Sequence, residues 1–324
     1  MADGQLRVET ADGKLIGSLL ERLDRVSGES RNVTGRRILL LGKNGQVGWE
    51  LQRTLAPLGA VKAVDLPEVD LADAGGLRRL VRETRPEIIV NAAAYTAVDR
   101  AETEPELAMA VNGIAPGVLA EEAKALGACL VHFSTDYVFD GEKRELYVET
   151  DPPNPLNVYG ATKLAGDEAI RDVDGPYLIL RTSWVYSMRG DGFVTRVLRW
   201  ARENEVLRLV EDQVGSPTWA RMLAEVTGLA LARGPEYVER RKGLYHLAGS
   251  GYASRLEWAK AILELEPGRD EQIVKQILPA STSDFPTPAQ RPLFSALNCA
   301  RFEDAFTVGL PVWQQALRLA LARG

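Results

Sequence analysis

Three features of the sequence predict an α/β fold: a doubly wound, mostly parallel sheet with a smaller C-terminal lobe. Short all-apolar runs recur without the alternation of a half-exposed strand, as expected where both faces are covered. Amphipathic helical patterns separate those runs over short connections, so the crossovers should be right-handed and the strands parallel. A glycine-rich turn follows directly on the first run.

The elements come in order from Arg36. RRILLLG is the first strand, VGWELQRTLAPLG the helix after it, and AVKAVDL the second strand. A helix near LRRLVRETR precedes the third strand, EIIVNAAA. LAEEAKALG is a helix before the fourth strand, ACLVHFS, and a helix near 160–171 precedes the fifth, YLILRTS. Beyond about residue 185 the regularity weakens into mixed helices and proline-rich loops such as STSDFPTPAQRP (281–292), the expected lobe over the sheet edge. The first 35 residues stand apart. Leu15, Ile16, Leu19, Leu20, Leu23 and Val26 share one helical face, and SGESRNVTG (27–35) reads as a polar linker. This extension is a docking helix, a helix for a partner, or an expression leftover, with docking preferred.

Composition excludes several function classes. With 324 residues, 26% charged and 45% hydrophobic, the chain has the make-up of an ordinary soluble protein of two domains, or of one large α/β domain with an appended lobe. Lys+Arg 39 against Asp+Glu 45 leaves a net charge of −6, which argues against a nucleic-acid or anionic-membrane binder. It leaves room for a local basic pocket. No run approaches the roughly 18 apolar residues of a membrane span, and the early acids of the N-terminus do not make a secretory signal. Cys129 and Cys299 are too few for a disulfide framework or thiolate zinc site and fit a reducing cytosol, so a cytoplasmic location is expected. His132 and His246 sit in the apolar runs ACLVHFS and GLYHLAG and read as buried strand residues rather than catalysts. Their scarcity weakens His-centred metal and Ser-His-Asp chemistry.

Gly42, Gly45 and Gly48 in GKNGQVG (42–48) lie between a buried strand and an amphipathic helix. Glycines there permit positive φ and let backbone N–H groups approach a pyrophosphate, which the helix N-terminus also attracts. The turn therefore predicts a Rossmann-type dinucleotide site, although its spacing is GxxGxxG rather than GxGxxG. Asp65, at the end of the second strand, can accept from an adenosine ribose diol and would repel a 2′-phosphate. Lys43 could pair with that phosphate. NADH is slightly favoured and NADPH stays open. Asp70 and Leu71 are expected near the adenine, and Ala92, Ala93 and Ala94 offer small residues where a cofactor passes the backbone.

The fourth strand ends in Ser134-Thr135-Asp136-Tyr137, and Tyr159-Gly160-Ala161-Thr162-Lys163 opens a later helix. Spacing of i and i+4 puts Tyr159 and Lys163 on one helical face. An ammonium beside the phenol is expected to lower the Tyr159 pKa from about 10. Tyr159 then exchanges a proton with a carbonyl or carbinol oxygen near neutral pH. Lys163 can also hold the nicotinamide ribose, and Thr135 can offer its hydroxyl to the same oxygen.

From Arg36 onward the sequence resembles the extended short-chain dehydrogenase/reductases, and within them the dTDP-4-dehydrorhamnose reductase family. The resemblance rests on GKNGQVGWELQRTLAPLG (42–59), RPEIIVNAAAYTAVDRAETEPE (85–106), STDYVFDG (134–141) and ETDPPNPLNVYGATKLAGDEA (149–169). It continues through RTSWVYS (181–187), DQVGSPT (212–218) and FPTPAQRP (285–292). It implies reduction of the C4 ketone of dTDP-4-dehydro-6-deoxy-L-mannose to dTDP-L-rhamnose by NADH or NADPH. Tyr159 would be the proton donor, Lys163 its modulator and Thr135 the hydroxyl partner. Gly45, Gln46, Val47, Asp65, Asp70, Leu71, Ala94, Tyr95, Thr96 and Phe133 would line the cofactor, and Thr135, Asp136 and Trp184 would contact the sugar. The Trp184 indole suits the C6 methyl of a deoxysugar, or is a core residue after the fifth strand. Arg291 is a candidate for the nucleotide diphosphate by charge and lobe position.

Some members of this family hold Mg²⁺ with three carboxylates at a dimer contact. Here Glu50 stands at the first position, but Arg221 and Arg323 stand at the other two. A hard divalent ion needs oxygens, so no structural Mg²⁺ is expected, and a Glu50–arginine ion pair takes its place. The chain is then a monomer or weak homodimer. Tyr137 after Asp136 departs from the 4,6-dehydratases, which need an acid there. Another sugar-nucleotide reductase or a 4-epimerase would keep the same Tyr and Lys. A non-catalytic subunit resembling the regulatory subunit of methionine adenosyltransferase need not keep Thr135, Tyr159 and Lys163. The expected organisation is an extension (1–35), a dinucleotide-binding Rossmann domain (36–185), and a mainly substrate-binding lobe (186–324) with some segments returning to the first domain.

Overall fold

Apolar runs too uniform to leave a face in water pair side by side into one parallel sheet. In the computed structural model, which describes residues 35–322, its strands are β1 (Arg37–Leu41), β2 (Ala60–Val64), β3 (Ile88–Asn91), β4 (Cys129–Thr135), β5 (Tyr177–Thr182) and β6 (Gly243–His246). Their order is β6-β5-β4-β3-β1-β2, and every neighbouring pair is parallel. β2 lies to one side of β1 and β3 to the other. The connections therefore diverge between the carboxyl ends of β1 and β3, and such a switch point leaves a crevice for a ligand. All five strands expected from the sequence are present. The sixth, from the run GLYHLAG, returns from far along the chain to pair with β5.

The helices of eight or more residues among the described residues are α1 (Gln46–Leu55), α2 (Ala74–Thr84), α3 (Ala115–Leu126), α4 (Val158–Val173), α5 (Phe193–Glu203), α6 (Ala220–Ala232), α7 (Arg255–Leu265) and α8 (Trp313–Leu321). Period-two alternation sorts the sheet's side chains between two helical layers. Leu39 and Leu41 point to one face, where Leu77, Val81, Leu119 and Ile170 of α2, α3 and α4 cover them. Ile38 and Leu40 point to the other, against Leu51 and Leu55 of α1 and Leu223 and Leu231 of α6. Truncating one of these fully buried leucines to alanine costs about 2–5 kcal/mol.

A separate apolar cluster builds the region after β5. Trp258 and Ile262 of α7, Trp313 and Leu317 of α8, and Val194 and Val197 of α5 meet there around Tyr186. A parallel strand pair, Val206–Val210 with Gln276–Ala280, flanks it. The helix expected within residues 1–35 and the Arg323 position lie outside the described residues. No described helix is long and apolar enough to cross a membrane.

Candidate active site

The glycine turn is built by close approach. Gly42 has φ of +85°, and a Cβ there would sit 2.6 Å from the Ala93 nitrogen. A Cβ on Gly48 would fall 1.9 Å from the Gly42 oxygen, so only glycine lets α1 start so close under the turn. Gly45 differs. Its φ is −68°, and an added Cβ would meet only the Gly42 oxygen, at 3.4 Å. Nothing in the protein itself demands glycine there, and what it leaves open is the cleft. α1 begins with no side-chain cap and no acidic residue in its first turn, so its free N–H groups and positive dipole end face outward.

These groups form one wall of a cleft of about 480 Å³ at the carboxyl ends of β1, β3, β4 and β5. Gly42, Gly45, Gln46, Val47, Asp65, Ala92, Ala93, Ala94, Thr96 and Phe133 line it on the side of the turn. The Asp65 carboxylate accepts the Asn44 N–H at 3.0 Å and the Leu66 N–H at 2.9 Å, which fixes it beside the loop. Lys43 is turned instead to Glu68, whose carboxyl its hydrogen bond holds below the usual range. Three buried atoms of cleft-lining residues have no partner among the described residues: Gln46 Oε1, Ser134 Oγ and Thr182 Oγ1. Buried polar groups are rarely left so. An uncapped helix start, an unobstructed Gly45 and orphaned hydroxyls are a donor set that fits a dinucleotide and its pyrophosphate.

The other wall carries Thr135, Asp136, Tyr159, Lys163 and Trp184. The Asn157 side chain caps α4 by accepting the Gly160 N–H at 2.8 Å, so Tyr159 and Lys163 fall one turn apart and both reach the cleft. Lys163 is buried. Its Nζ donates to the Phe133 carbonyl at 2.7 Å and lies 3.0 Å from His132 Nε2. Burial pulls the Lys163 ammonium down to about 8, with Asp167 opposing. The expectation that Tyr159 is shifted downward is corrected here. Burial pushes its phenol above the ordinary range, and the Thr135 hydroxyl offsets this only in part. The ammonium that was to lower it is engaged with β4.

Asp136 is wholly buried and held by three hydroxyls, from Ser183 at 2.9 Å, Ser295 at 2.5 Å and Thr135 at 3.2 Å. Burial still pushes its carboxyl up to about 6. Trp184 sits at φ +44°, a region costly for a bulky residue and concentrated at functional sites. The two readings of Trp184 meet in one residue, because it lines the cleft and also packs against the cluster around Trp258.

Sequence reasoning missed Arg255. Its guanidinium stacks 3.6 Å over the Trp184 ring and has no side-chain hydrogen-bond or ion-pair partner among the described residues. Burial pulls it below its ordinary range, with the nearby arginines Arg196 and Arg291 acting the same way. A cation at the first position of a helix opposes the helix dipole. That was the available signal in SRLEWAK, where Ser254 caps α7 and Arg255 opens it. Asn112 was missed as well. Its side chain accepts the Tyr95 N–H at 2.8 Å and donates to the Tyr95 carbonyl, fixing the loop that carries Thr96.

Several expected residues lie outside the cleft lining. Gly48 shapes the turn from beneath. Leu71 is in the core under α2, and Asp70 Oδ1 accepts the Ala72 N–H. The Tyr95 hydroxyl donates to Glu104. Arg291 makes a two-pronged pair with Asp99, at 2.6 and 2.8 Å, and so is occupied by the loop after β3. Glu50 is buried and gripped by Arg221, with both carboxylate oxygens 3.2 Å from its guanidinium.

Residues 36–324 match the family described as RmlD substrate binding domain. A dTDP-4-dehydrorhamnose reductase of Burkholderia thailandensis is 44% identical over 293 residues, which is 88% of this chain and 98% of that one. One from Escherichia coli K12 is 44% identical over 292 residues, 88% of this chain and 96% of that one. Among solved structures, a dTDP-4-dehydrorhamnose reductase of Bacillus anthracis in complex with NADP superposes with a TM-score of 0.82. It is 34% identical and is covered completely, over 90% of this chain.

Proposed function

The chain belongs to the RmlD substrate binding domain family, and from that premise we propose that it is a dTDP-4-dehydrorhamnose reductase. It reduces the C4 ketone of dTDP-4-dehydro-6-deoxy-L-mannose to dTDP-L-rhamnose at the expense of NADH or NADPH. The observation that carries the reading is the cleft itself. Tyr159, Lys163 and Thr135 form one wall, and the glycine turn with the open start of α1 forms the other.

NAD(P)H, when bound along the glycine turn, supplies the hydride that the sugar C4 receives. The chain supplies the rest. Tyr159 donates its phenolic proton to the C4 oxygen, and a phenol kept protonated by burial is in the form needed for that task. The Thr135 hydroxyl hydrogen-bonds the same oxygen. Lys163 would hold the nicotinamide ribose of a bound cofactor, and Asp136 would hold a sugar hydroxyl. Trp184 offers its indole face to the C6 methyl. The nucleotide diphosphate falls to Arg255, whose guanidinium stacks on Trp184 with no side-chain partner among the described residues, since Arg291 is committed to Asp99. Asp65 favours an unphosphorylated ribose, hence NADH.

The Glu50–Arg221 pair puts a cation where a divalent ion would need oxygens, so the reading includes no structural Mg²⁺. The protein is a cytosolic monomer or weak homodimer whose partner is a dTDP-sugar rather than a nucleic acid or membrane. Residues 36–185 form its cofactor domain and 186–324 mainly its substrate lobe. The test is to supply enzymatically generated dTDP-4-dehydrorhamnose, follow oxidation of NADH and of NADPH, and identify the sugar. Stoichiometric oxidation with dTDP-L-rhamnose as product is expected. A different deoxysugar, or no turnover, would overturn the assignment.

A further inference from the structure

Asp136 stands where segments far apart in the chain cross. It directly follows β4, Ser183 directly follows β5, and Ser295 arrives on the segment 293–298. That segment is fixed on both sides by backbone hydrogen bonds. The Ser295 N–H donates to the Val214 carbonyl at 2.8 Å, and the Tyr147 N–H donates to the Ala296 carbonyl at 2.9 Å. Ser183 is fixed as well, since its hydroxyl oxygen accepts the Ser216 N–H at 3.2 Å. Ser183 and Ser295 are each 1% exposed and stand behind the cleft lining, whereas Thr135 and Asp136 reach it.

An ionised carboxylate only accepts, through two oxygens with about four lone-pair sites. Asp136 Oδ2 receives both serine hydroxyls, Ser183 at 2.9 Å and Ser295 at 2.5 Å, which fill its two sites. Oδ1 receives the Thr135 hydroxyl at 3.2 Å, the longest of the three bonds. Thr135 has a single hydroxyl proton, and its Oγ1 already accepts the Tyr137 N–H at 3.1 Å. That proton cannot serve Asp136 and a substrate oxygen together. It can leave Asp136 only if other donors keep the carboxylate satisfied, because a buried acceptor stripped of its partners is costly.

We propose that Ser183 and Ser295 are positioning residues that saturate Oδ2 from behind, so that Oδ1 accepts one sugar hydroxyl and Thr135 can turn its hydroxyl to the ketone oxygen. Burial raises the Asp136 carboxyl to about 6, and the Ser295 and Ser183 hydroxyls work against it more than Thr135 does. The other groups facing Asp136 leave that role to the serines. Tyr137 and Tyr159 are phenols raised by burial. Arg255 of α7 is the cation near it, without a hydrogen bond to it, and Lys163 of α4 donates to the Phe133 carbonyl. Residues 182–184, 214–216 and 293–298 bring no charged side chain. Losing a serine donor therefore raises the carboxyl further, and activity that needs the carboxylate fails at a higher pH.

The role toward the sugar rests on the reductase reading above, so the test has two arms. In the first, ligand-free protein carries ¹³C-carboxyl aspartate, and the Asp136 signal, identified by its loss in Asp136→Asn, is followed against pH by NMR. It should titrate near pH 6 in the unaltered protein. In Ser295→Ala and in Ser183→Ala it should titrate about 1–2 pH units higher, each having lost one hydrogen bond to a charged group. An unmoved titration in both variants means that the serines only pack, and overturns the proposal. In the second arm, the acidic limb of kcat/KM for dTDP-4-dehydrorhamnose should move up by the same amount, with the KM for NADH unchanged. A carboxyl that shifts while the limb stays put overturns the role toward the sugar. Ser295→Cys keeps the bulk with only a weak donor and should behave like Ser295→Ala. A limb restored by cysteine assigns the effect to volume and overturns the proposal. If the unaltered protein does not reduce dTDP-4-dehydrorhamnose, the reductase reading fails, while the NMR arm still decides whether the serines hold Asp136.

Discussion

The two walls of the cleft are built on opposite principles. On the glycine-turn wall most of the geometry comes from one contiguous segment, Gly42 to Gly48, and the groups offered are backbone N–H donors left open. On the catalytic wall the groups are side chains already bonded inside the protein and drawn from distant segments. Asp136 is held by Ser183 and Ser295, and Lys163 by His132 and Phe133. The first wall offers mainly open backbone and the second a set of preloaded side chains. Preorganised partners cost no rearrangement at the moment of reaction. An open backbone, by contrast, can release and rebind a cofactor at every turnover.

This contrast can be broken at several points. Tyr159→Phe removes the proton donor and should lower kcat by about 10²–10⁴-fold, with NADH affinity unchanged by fluorescence titration. A parallel loss of NADH binding would merge the two walls. Gly48→Ala strikes the other wall, where the added carbon meets backbone. It should cost at least about 3 kcal/mol, the upper end for overpacking, and abolish cofactor binding, read by thermal unfolding with and without NADH. Arg255→Gln should raise the KM for the dTDP-sugar about 10- to 100-fold, as loss of charge-assisted hydrogen bonds does. The KM for NADH should stay put, and an unchanged sugar KM would return the diphosphate to another residue. Asp65→Asn should move the preference toward NADPH by about tenfold, or about 1.4 kcal/mol, measured as the ratio of kcat/KM for the two cofactors. The smallest effect is none: EDTA should leave the rate unaltered, and activity lost with EDTA and restored by Mg²⁺ would mean that Glu50 binds a metal.

The same contrast explains what could be read in the sequence. β1, β3, β4 and β5 were legible because each is a short run buried on both faces, β2 as a short apolar run at the sheet edge, and the glycine turn because its requirement is local. The Tyr159 to Lys163 spacing was legible for the same reason. Partners far apart in the chain were not. Arg291 read as a free cation because Asp99, which occupies it, lies 192 residues away. Arg255 was passed over because its stacking on Trp184 depends on the fold. The direction of the Tyr159 shift was misjudged because the spacing shows that Lys163 is near, but not that β4 already holds its amine. His132 was legible as a buried strand residue. Its contact with Lys163 was not, since strand and helix meet only in the tertiary structure.

The most direct measurement follows the hydrogen. Dehydrorhamnose nucleotide is supplied with NADH deuterated at the transferring position of nicotinamide C4, and the product sugar is analysed by NMR. Deuterium on C4 of a dTDP-L-rhamnose, one atom for each NADH oxidised, is the predicted result. An unlabelled sugar epimerised at C4 with no net NADH oxidation would contradict it.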